Sequence, residues 1–294
     1  MCRLVAGYAS SPRGVHVLGE LAVLVAEAAR GDPYLAAVTG GEDRHCHGYG
    51  FVLAYRGEGG AWRLVHERFD ALDEGVGEEE ACRANLEASL GAAERLRGLL
   101  SSAREAFLVF HVRRAGRREP RGSLNTHPYV AVSAAPGGQL LLYLAHNGGV
   151  RKEALAEGLG VEPGGYTDSN LLLLWLAGAV ARGAEPWEAL AEGFGLAKSG
   201  YDVALLVLRD RARGVEPALY VAAGYAAGLD EARRRYYEPV GFRGEGAAGY
   251  ISSTVRDLAR ERGVGVEAWS LEHGVYRVTG GGLERVAAPA RGRG

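Results

Sequence analysis

The chain opens Met1-Cys2-Arg3-Leu4-Val5-Ala6-Gly7-Tyr8, and the run from Cys2 reads as a short, mostly apolar strand beginning at the very N-terminus. The first side chain of that strand is a thiol. A small second residue allows Met1 to be removed, and Cys2 would then carry a thiol and a free α-amine on one residue. Such an amine has an ordinary pKa of roughly 7.7 to 8, so it is partly neutral at physiological pH and can take the thiol proton directly or through a water. A cysteine at this position can also simply start a buried strand, so its meaning depends on the residues further along the chain.

Outward from that strand, Val15 to Arg30 has the spacing of an amphipathic helix. Gly48 to Tyr55 and Trp62 to Glu67 read as two strands of a hairpin, joined by the glycine-rich turn Gly57 to Gly60. Glu78 to Leu100 is helical, and Ala106 to Val112 and Gln139 to Ala145 are apolar runs of strand length, each ending at a polar motif. Asp168 or Ser169 caps a helix over Asn170 to Arg182, and Pro186 starts another. Strands follow at Val203 to Arg209 and Ala218 to Ala223, then at Tyr250 to Ser253, Gly265 to Ser270 and Gly274 to Thr279, with Asp257 to Arg262 helical. Helices and hairpins grouped in this way predict an α+β layered protein, not a strict β-α-β alternation. A single domain over residues 2–290 is expected, with 291–294 a disordered tail.

Composition narrows the function classes. With 34 Lys+Arg against 36 Asp+Glu, the net charge of -2 gives no global basic field for nucleic acid or an anionic membrane. The most apolar helical stretch, Leu171 to Ala181, is too short to span a bilayer, and the N-terminus lacks the basic and apolar regions of a signal peptide. Three cysteines, at 2, 46 and 82, do not suggest a secreted disulfide framework, so a reducing cytoplasm is expected. Asparagine occurs only at 85, 125, 147 and 170, and lysine only at 152 and 198, a usage that suits heat adaptation or a GC-rich genome.

Where polar residues close the apolar runs, their chemistry is specific. Arg113 ends the run from Ala106, and a guanidinium there can clamp a carboxylate with two parallel hydrogen bonds, although Arg114, Arg117, Arg118 and Arg121 also mark this loop as solvated. Asn147 and Gly148 come after the run from Gln139, where the chain is expected to leave the sheet; an asparagine amide and a glycine N–H make a workable oxyanion hole, and an Asn-Gly turn is the ordinary alternative. Asp168 at a helix start is either a cap or the partner of a substrate ammonium. His45, Cys46, His47, His111, His127 and His146 could ligate a metal, but no C-x-x-C or H-E-x-x-H spacing occurs and no metal is expected.

In order along the chain, Met1-Cys2-Arg3-Leu4, Gly48-Tyr49-Gly50, His111-Val112-Arg113, Asn125-Thr126-His127-Pro128, His146-Asn147-Gly148 and Thr167-Asp168-Ser169 resemble the landmarks of the class II glutamine amidotransferases, which are N-terminal-nucleophile hydrolases. The resemblance implies a four-layer αββα sandwich of two mainly antiparallel sheets. It implies Cys2 as nucleophile, Asn147 and Gly148 as oxyanion hole, Arg113 holding the glutamine α-carboxylate and Asp168 the α-ammonium, with no cofactor. Tyr250-Ile251-Ser252-Ser253 and Trp269 resemble the closing strands of short, stand-alone members. His47 stands where many members have Asp, Tyr49 replaces a Trp, and Arg114-Ala115-Gly116 departs from the usual aromatic-containing run, changes that bear on the pocket wall.

The expected activity is therefore hydrolysis of L-glutamine through a Cys2 γ-glutamyl thioester, with ammonia passed to a separate acceptor synthase, since no second domain is left for synthase chemistry. Hydrolysis of another γ-glutamyl amide would use the same residues, as an ergothioneine-pathway branch of the family does. A different class of reading is a non-catalytic binding module whose Arg113 to Arg121 loop docks an acidic partner.

Overall fold

A computed structural model describes residues 2–116, 119–135, 138–211 and 214–290, so the expected tail 291–294 and the loop residues Arg117 and Arg118 lie outside the described residues. In chain order the elements are β1 (Cys2–Ala9), α1 (Pro12–Ala28), α2 (Pro33–Thr39), β2 (Tyr49–Arg56), β3 (Arg63–Phe69), α3 (Glu78–Leu100), β4 (Glu105–Arg113), β5 (Tyr129–Ala135), β6 (Gly138–Val150), α4 (Lys152–Leu159), α5 (Asp168–Ala181) and α6 (Pro186–Gly193). They continue with β7 (Ala197–Arg211), β8 (Gly214–Ala223), α7 (Glu231–Tyr236), β9 (Val240–Gly244), β10 (Ala247–Ile251), α8 (Ser253–Glu261), β11 (Val266–Ser270), β12 (Gly274–Thr279) and β13 (Gly282–Ala287).

The opening strand is central to one of two sheets, which runs β11-β9-β10-β1-β4-β2-β3; the other runs β13-β12-β8-β7-β6-β5, and the strand pairings within both are antiparallel. Alternation along β1 decides which residues face which layer. Leu4 and Ala6 pack with Val52, Val109, Ala145, Ala204 and Val221 in a core between the sheets. Val5 and Ala9 point the other way, into a core shared with α1 and α3. On the far side of the second sheet, Leu142, Leu144, Val203 and Leu205 pack against Leu171, Leu172 and Leu176 of α5. The layers are helices, sheet, sheet, helices, an α+β sandwich. A strand covered on both faces has no solvent side, which is why Cys2 to Tyr8 reads as an apolar run broken only by Arg3, a buried ion-pair partner.

Helix α3 occupies the expected span, and the β2–β3 hairpin forms with Tyr49 opposite Phe69 and Tyr55 opposite Arg63. Other expectations are corrected. Asn147 and Gly148 do not mark the end of a strand; β6 carries them inside the sheet, opposite Asp202 and Tyr201 of β7, with a register shift between Gly148 and Val150. The cap of α5 is Thr167, whose hydroxyl accepts from Asn170 N at 3.1 Å, so Asp168 and Ser169 lie within the helix. Helices α2, α4 and α7 and strands β5, β9 and β13 add to the elements expected; all are five to eight residues long, too short for a periodic pattern to stand out.

Cysteine usage is the clearest correction. Cys46, in the loop before β2, and Cys82, the fifth residue of α3, form a disulfide with Cα atoms 4.7 Å apart, leaving Cys2 free and buried. Thirty-six residues separate the pair in sequence, and nothing in that spacing shows the approach. Disulfides belong to oxidising compartments and to intracellular proteins of hyperthermophiles, so cysteine usage no longer points to a reducing cytoplasm. Among the described residues no helix is long and apolar enough to cross a membrane.

Candidate active site

Antiparallel pairing of β1 with β4 sets Cys2 opposite Arg113 and Leu4 opposite His111, so Cys2, Arg113 and His111 all face the space between the sheets. From the other sheet, β6 turns Asn147 toward them, and Asn147 Oδ1 accepts from Cys2 N at 2.8 Å. The two residues are 145 apart in sequence and both nearly inaccessible. Burial alone would raise the Cys2 thiol pKa; the positive N-terminus and His111 outweigh it and hold the thiol well below its ordinary value.

Behind β1, on its helical side, a fully buried ion pair fixes the strand that Cys2 heads. Arg3 Nε donates to Asp32 Oδ2 at 2.6 Å, and Asp32 also contacts His45 at 2.7 Å and accepts from Thr254 Oγ1 at 2.7 Å. The Arg3 guanidinium lies 4.0 Å over the Tyr236 ring, and the Tyr236 hydroxyl donates to Cys2 O at 3.0 Å. Burial disfavours the charged forms of both Asp32 and His45; for Asp32 the neighbouring Arg3 and His45 overcome it and keep the carboxylate well below its usual range, whereas His45 is shifted down and stays neutral. Cys2 is thereby gripped through its own carbonyl and the next side chain, a rigid platform for a reacting group.

Arg113 is 3% exposed. Its Nη2 donates to Pro120 O at 3.0 Å, and its Nη1 has no hydrogen-bond partner among the described residues. A guanidinium buried against a single neutral carbonyl is costly unless a carboxylate arrives to complete it. His111 and His127, with ring centroids 4.2 Å apart and planes tilted by 50°, are both buried with neither ring nitrogen hydrogen-bonded among the described residues, and burial together with His111 and Arg113 pushes the His127 pKa well down. His47 packs against the backbone just beyond Arg113, its Nδ1 accepting from Ala115 N at 3.0 Å; burial and the Arg121 and Arg113 charges lower it to about 4, so it is a neutral acceptor.

Gly148 has φ +155°, and a Cβ there would lie 1.7 Å from Gly200 O, so only glycine allows β6 to lie this close to β7. Just past it, Val150 N donates to Asp168 Oδ2 at 2.9 Å, which holds the first turn of α5 against the irregular end of β6. Asp168 is partly exposed, and the Ser169 hydroxyl donates to its Oδ1 at 3.2 Å. Tyr129 shares a 2.7 Å bond with Thr167 and feels both the Arg113 and Asp168 charges, which places those two on one cluster.

All five expected site residues therefore lie around one end of the sandwich: Cys2, Arg113 and Asn147 face the gap between the sheets, while Gly148 and Asp168 close the β6–α5 side. Sequence reasoning missed His111 as a neighbour of the thiol, although two-residue alternation puts it on the face of Arg113. It also missed Asp202, whose signal was an acidic residue at the head of an apolar strand. An apolar recess of about 230 Å³, lined by Trp62, Leu64, Val132 and Leu208 among others, opens at the opposite end of the sandwich and lacks this chemistry. Compared with protein-family models and with curated protein sequences, the chain matches none.

Proposed function

We propose that this protein hydrolyses the side-chain amide of glutamine through Cys2, on the N-terminal-nucleophile plan of the class II glutamine amidotransferases. The observation that carries the reading is the buried Arg113 guanidinium, whose Nη1 has no hydrogen-bond partner among the described residues, opposite Cys2 in the ladder, whose backbone N–H is held by Asn147. An anion receptor beside a nucleophile suits an amino-acid substrate. The facing sheets between helical layers, with the nucleophile heading a central strand, agree with the four-layer fold of that superfamily.

With Met1 removed, the Cys2 N–H that Asn147 receives becomes an α-amine. That amine accepts the thiol proton, and the Cys2 thiolate adds to Cδ of glutamine; the carbonyl π pair moves to oxygen and is met by Asn147 Nδ2 and the Gly148 N–H. Collapse of the tetrahedral species breaks the C–N bond, the amine returns its proton to nitrogen, and ammonia leaves a γ-glutamyl thioester. Water, deprotonated by the same amine, cleaves the thioester to glutamate and restores the thiol. Arg113 holds the α-carboxylate and Asp168 the α-ammonium, and ammonia passes to a separate acceptor enzyme. Another γ-glutamyl amide would engage Arg113 and Asp168 by the same glutamyl end.

The test is mass-spectrometric location of the adduct formed with 6-diazo-5-oxo-L-norleucine, a glutamine-mimicking electrophile, together with the state of Met1. Label on Cys2 of a chain lacking Met1, absent from a Cys2→Ala variant that also releases no glutamate, is expected. Full glutaminase activity in Cys2→Ala refutes the proposal.

A further inference from the structure

Asp202 is a carboxyl enclosed in the sandwich, 1% exposed. Its hydrogen bonds come from neutral donors, Asn147 Nδ2 at 3.3 Å and Gly224 N at 3.4 Å. Burial pushes it from an ordinary 3.8 up to about 8, against weaker opposing effects of Tyr250, Gly224, Asn147 and Arg3, so at neutral pH it is an uncharged acid. A strand can bury a leucine at such a position at far lower cost, and Leu206 stands on the same face of β7.

What Asp202 holds is the side chain opposite it in the ladder, Asn147. The Asn147 amide is gripped from two sides: Oδ1 takes the Cys2 N–H, and one Nδ2 hydrogen goes to Asp202. The second Nδ2 hydrogen has no acceptor among the bonds described. Were the amide turned over, Nδ2 would face the Cys2 N–H, donor against donor, and Oδ1 would present lone pairs to any oxyanion forming beside the thiol. Without Asp202 the Cys2 N–H alone would oppose that turn, and it weakens as a lock whenever the amine gives up a proton. A second anchor on the far side is what a stable orientation requires.

We infer that Asp202 is a positioning residue that fixes the amide of Asn147 with Oδ1 on the Cys2 nitrogen and Nδ2 turned to the substrate oxygen. The inference rests on the glutaminase reading. Asp202 touches neither substrate nor thiol; it acts through Asn147, on the step in which negative charge reaches oxygen.

Two reagents at the same thiol separate this from a purely structural role. Addition of the Cys2 thiolate to the carbonyl of 6-diazo-5-oxo-L-norleucine develops an oxyanion before the diazo carbon is protonated, sulfur moves to it as N2 leaves and the ketone re-forms, whereas alkylation by iodoacetamide displaces iodide at a saturated carbon and develops none. Labelling rates at Cys2 are measured for the full-length wild type, Asp202→Leu and Asp202→Asn. In Asp202→Leu the diazoketone rate is expected to fall on the order of 10- to 100-fold with iodoacetamide changed by less than about twofold; Asp202→Asn, which keeps an oxygen acceptor for Asn147, stays within about threefold of wild type with both. Wild-type diazoketone labelling in Asp202→Leu, an equal loss with both reagents, or a failure of Asp202→Asn to recover the rate overturns the inference and leaves the glutaminase reading standing. Wild-type Cys2 that takes iodoacetamide but not the diazoketone overturns both.

Discussion

Replacing Arg113 by methionine should make the unliganded protein more stable and unable to hold its substrate. The guanidinium is 3% exposed, with Pro120 O for Nη2 and no hydrogen-bond partner for Nη1 among the described residues, so the folded state carries a desolvated charge that no carboxylate hydrogen bond among those residues offsets. Methionine retains much of the stem's volume and removes the charge, a change worth about 1–3 kcal/mol of added stability. Over 294 residues, an unfolding entropy of about 2.1 cal/mol/K per residue sums to about 0.6 kcal/mol/K, which converts that gain to a rise of about 2–5 °C in Tm. The same change would remove the proposed α-carboxylate clamp, and kcat/KM for glutamine should fall on the order of 10²- to 10³-fold. Thermal melts of both proteins, with and without glutamate, check the argument in one experiment. Glutamate at about a hundred times its Kd stabilises wild type by about 2.7 kcal/mol, about 4–5 °C here, and should not move the variant. A variant that melts several degrees below wild type without ligand would show that Arg113 holds the fold together, and the case for a substrate carboxylate would collapse with it.

Cys2→Ala should lower glutamate release on the order of 10⁴-fold or more, read by coupled glutamate detection, because no second thiol is available once Cys46 and Cys82 are joined. Cys46→Ser should lose about 4 kcal/mol from reopening a 36-residue loop, or about 6 °C in Tm; a reductant should lower the wild-type melt by the same amount and leave the variant unmoved. His47, lowered from 6.5 to about 4 in the folded state, binds fewer protons folded than unfolded, so its contribution is lost as pH falls from 6.5 toward 4; denaturant melts of His47→Gln should show a slope shallower by up to about 1.4 kcal/mol per pH unit in that window. Asp202 has the opposite sign: with its folded pKa raised from 3.8 to about 8, stability is lost as pH rises through that interval. The stability of Asp202→Asn relative to wild type should therefore improve steadily from pH 4 to 8, at up to about 1.4 kcal/mol per unit, and a flat difference would refute the raised pKa.

Much of the sandwich was legible because its signals are local. The Glu78–Leu100 helix and the β2–β3 hairpin follow from side-chain period and from glycine in the turn, both properties of a few consecutive residues. Short elements escaped: α2 is seven residues starting on an Asp32-Pro33 cap, and β9 is five, lengths over which period and chance look alike. Asn147-Gly148 misled for a physical reason, since Asn-Gly is the commonest turn dipeptide and its use inside β6 depends on the close approach of Gly200. Of the asparagines, Asn85 has a structural task that no motif announced, donating to Asp70 Oδ1 and Cys46 O while accepting from Ala71 N.

By itself the sequence determined the α+β class, the mostly apolar opening strand headed by a thiol, and the residue types proposed for the site, because these are written in neighbouring side chains. Only the tertiary structure decided which of them meet. Cys2 reaches Asn147 across 145 residues, Arg113 Nη1 is left without a hydrogen-bond partner among the described residues, Cys46 closes on Cys82, and Asp202 comes to stand behind Asn147. Those pairings are set by strand order and register between segments far apart in the chain, and a linear sequence carries no local mark of a partner that lies on another strand.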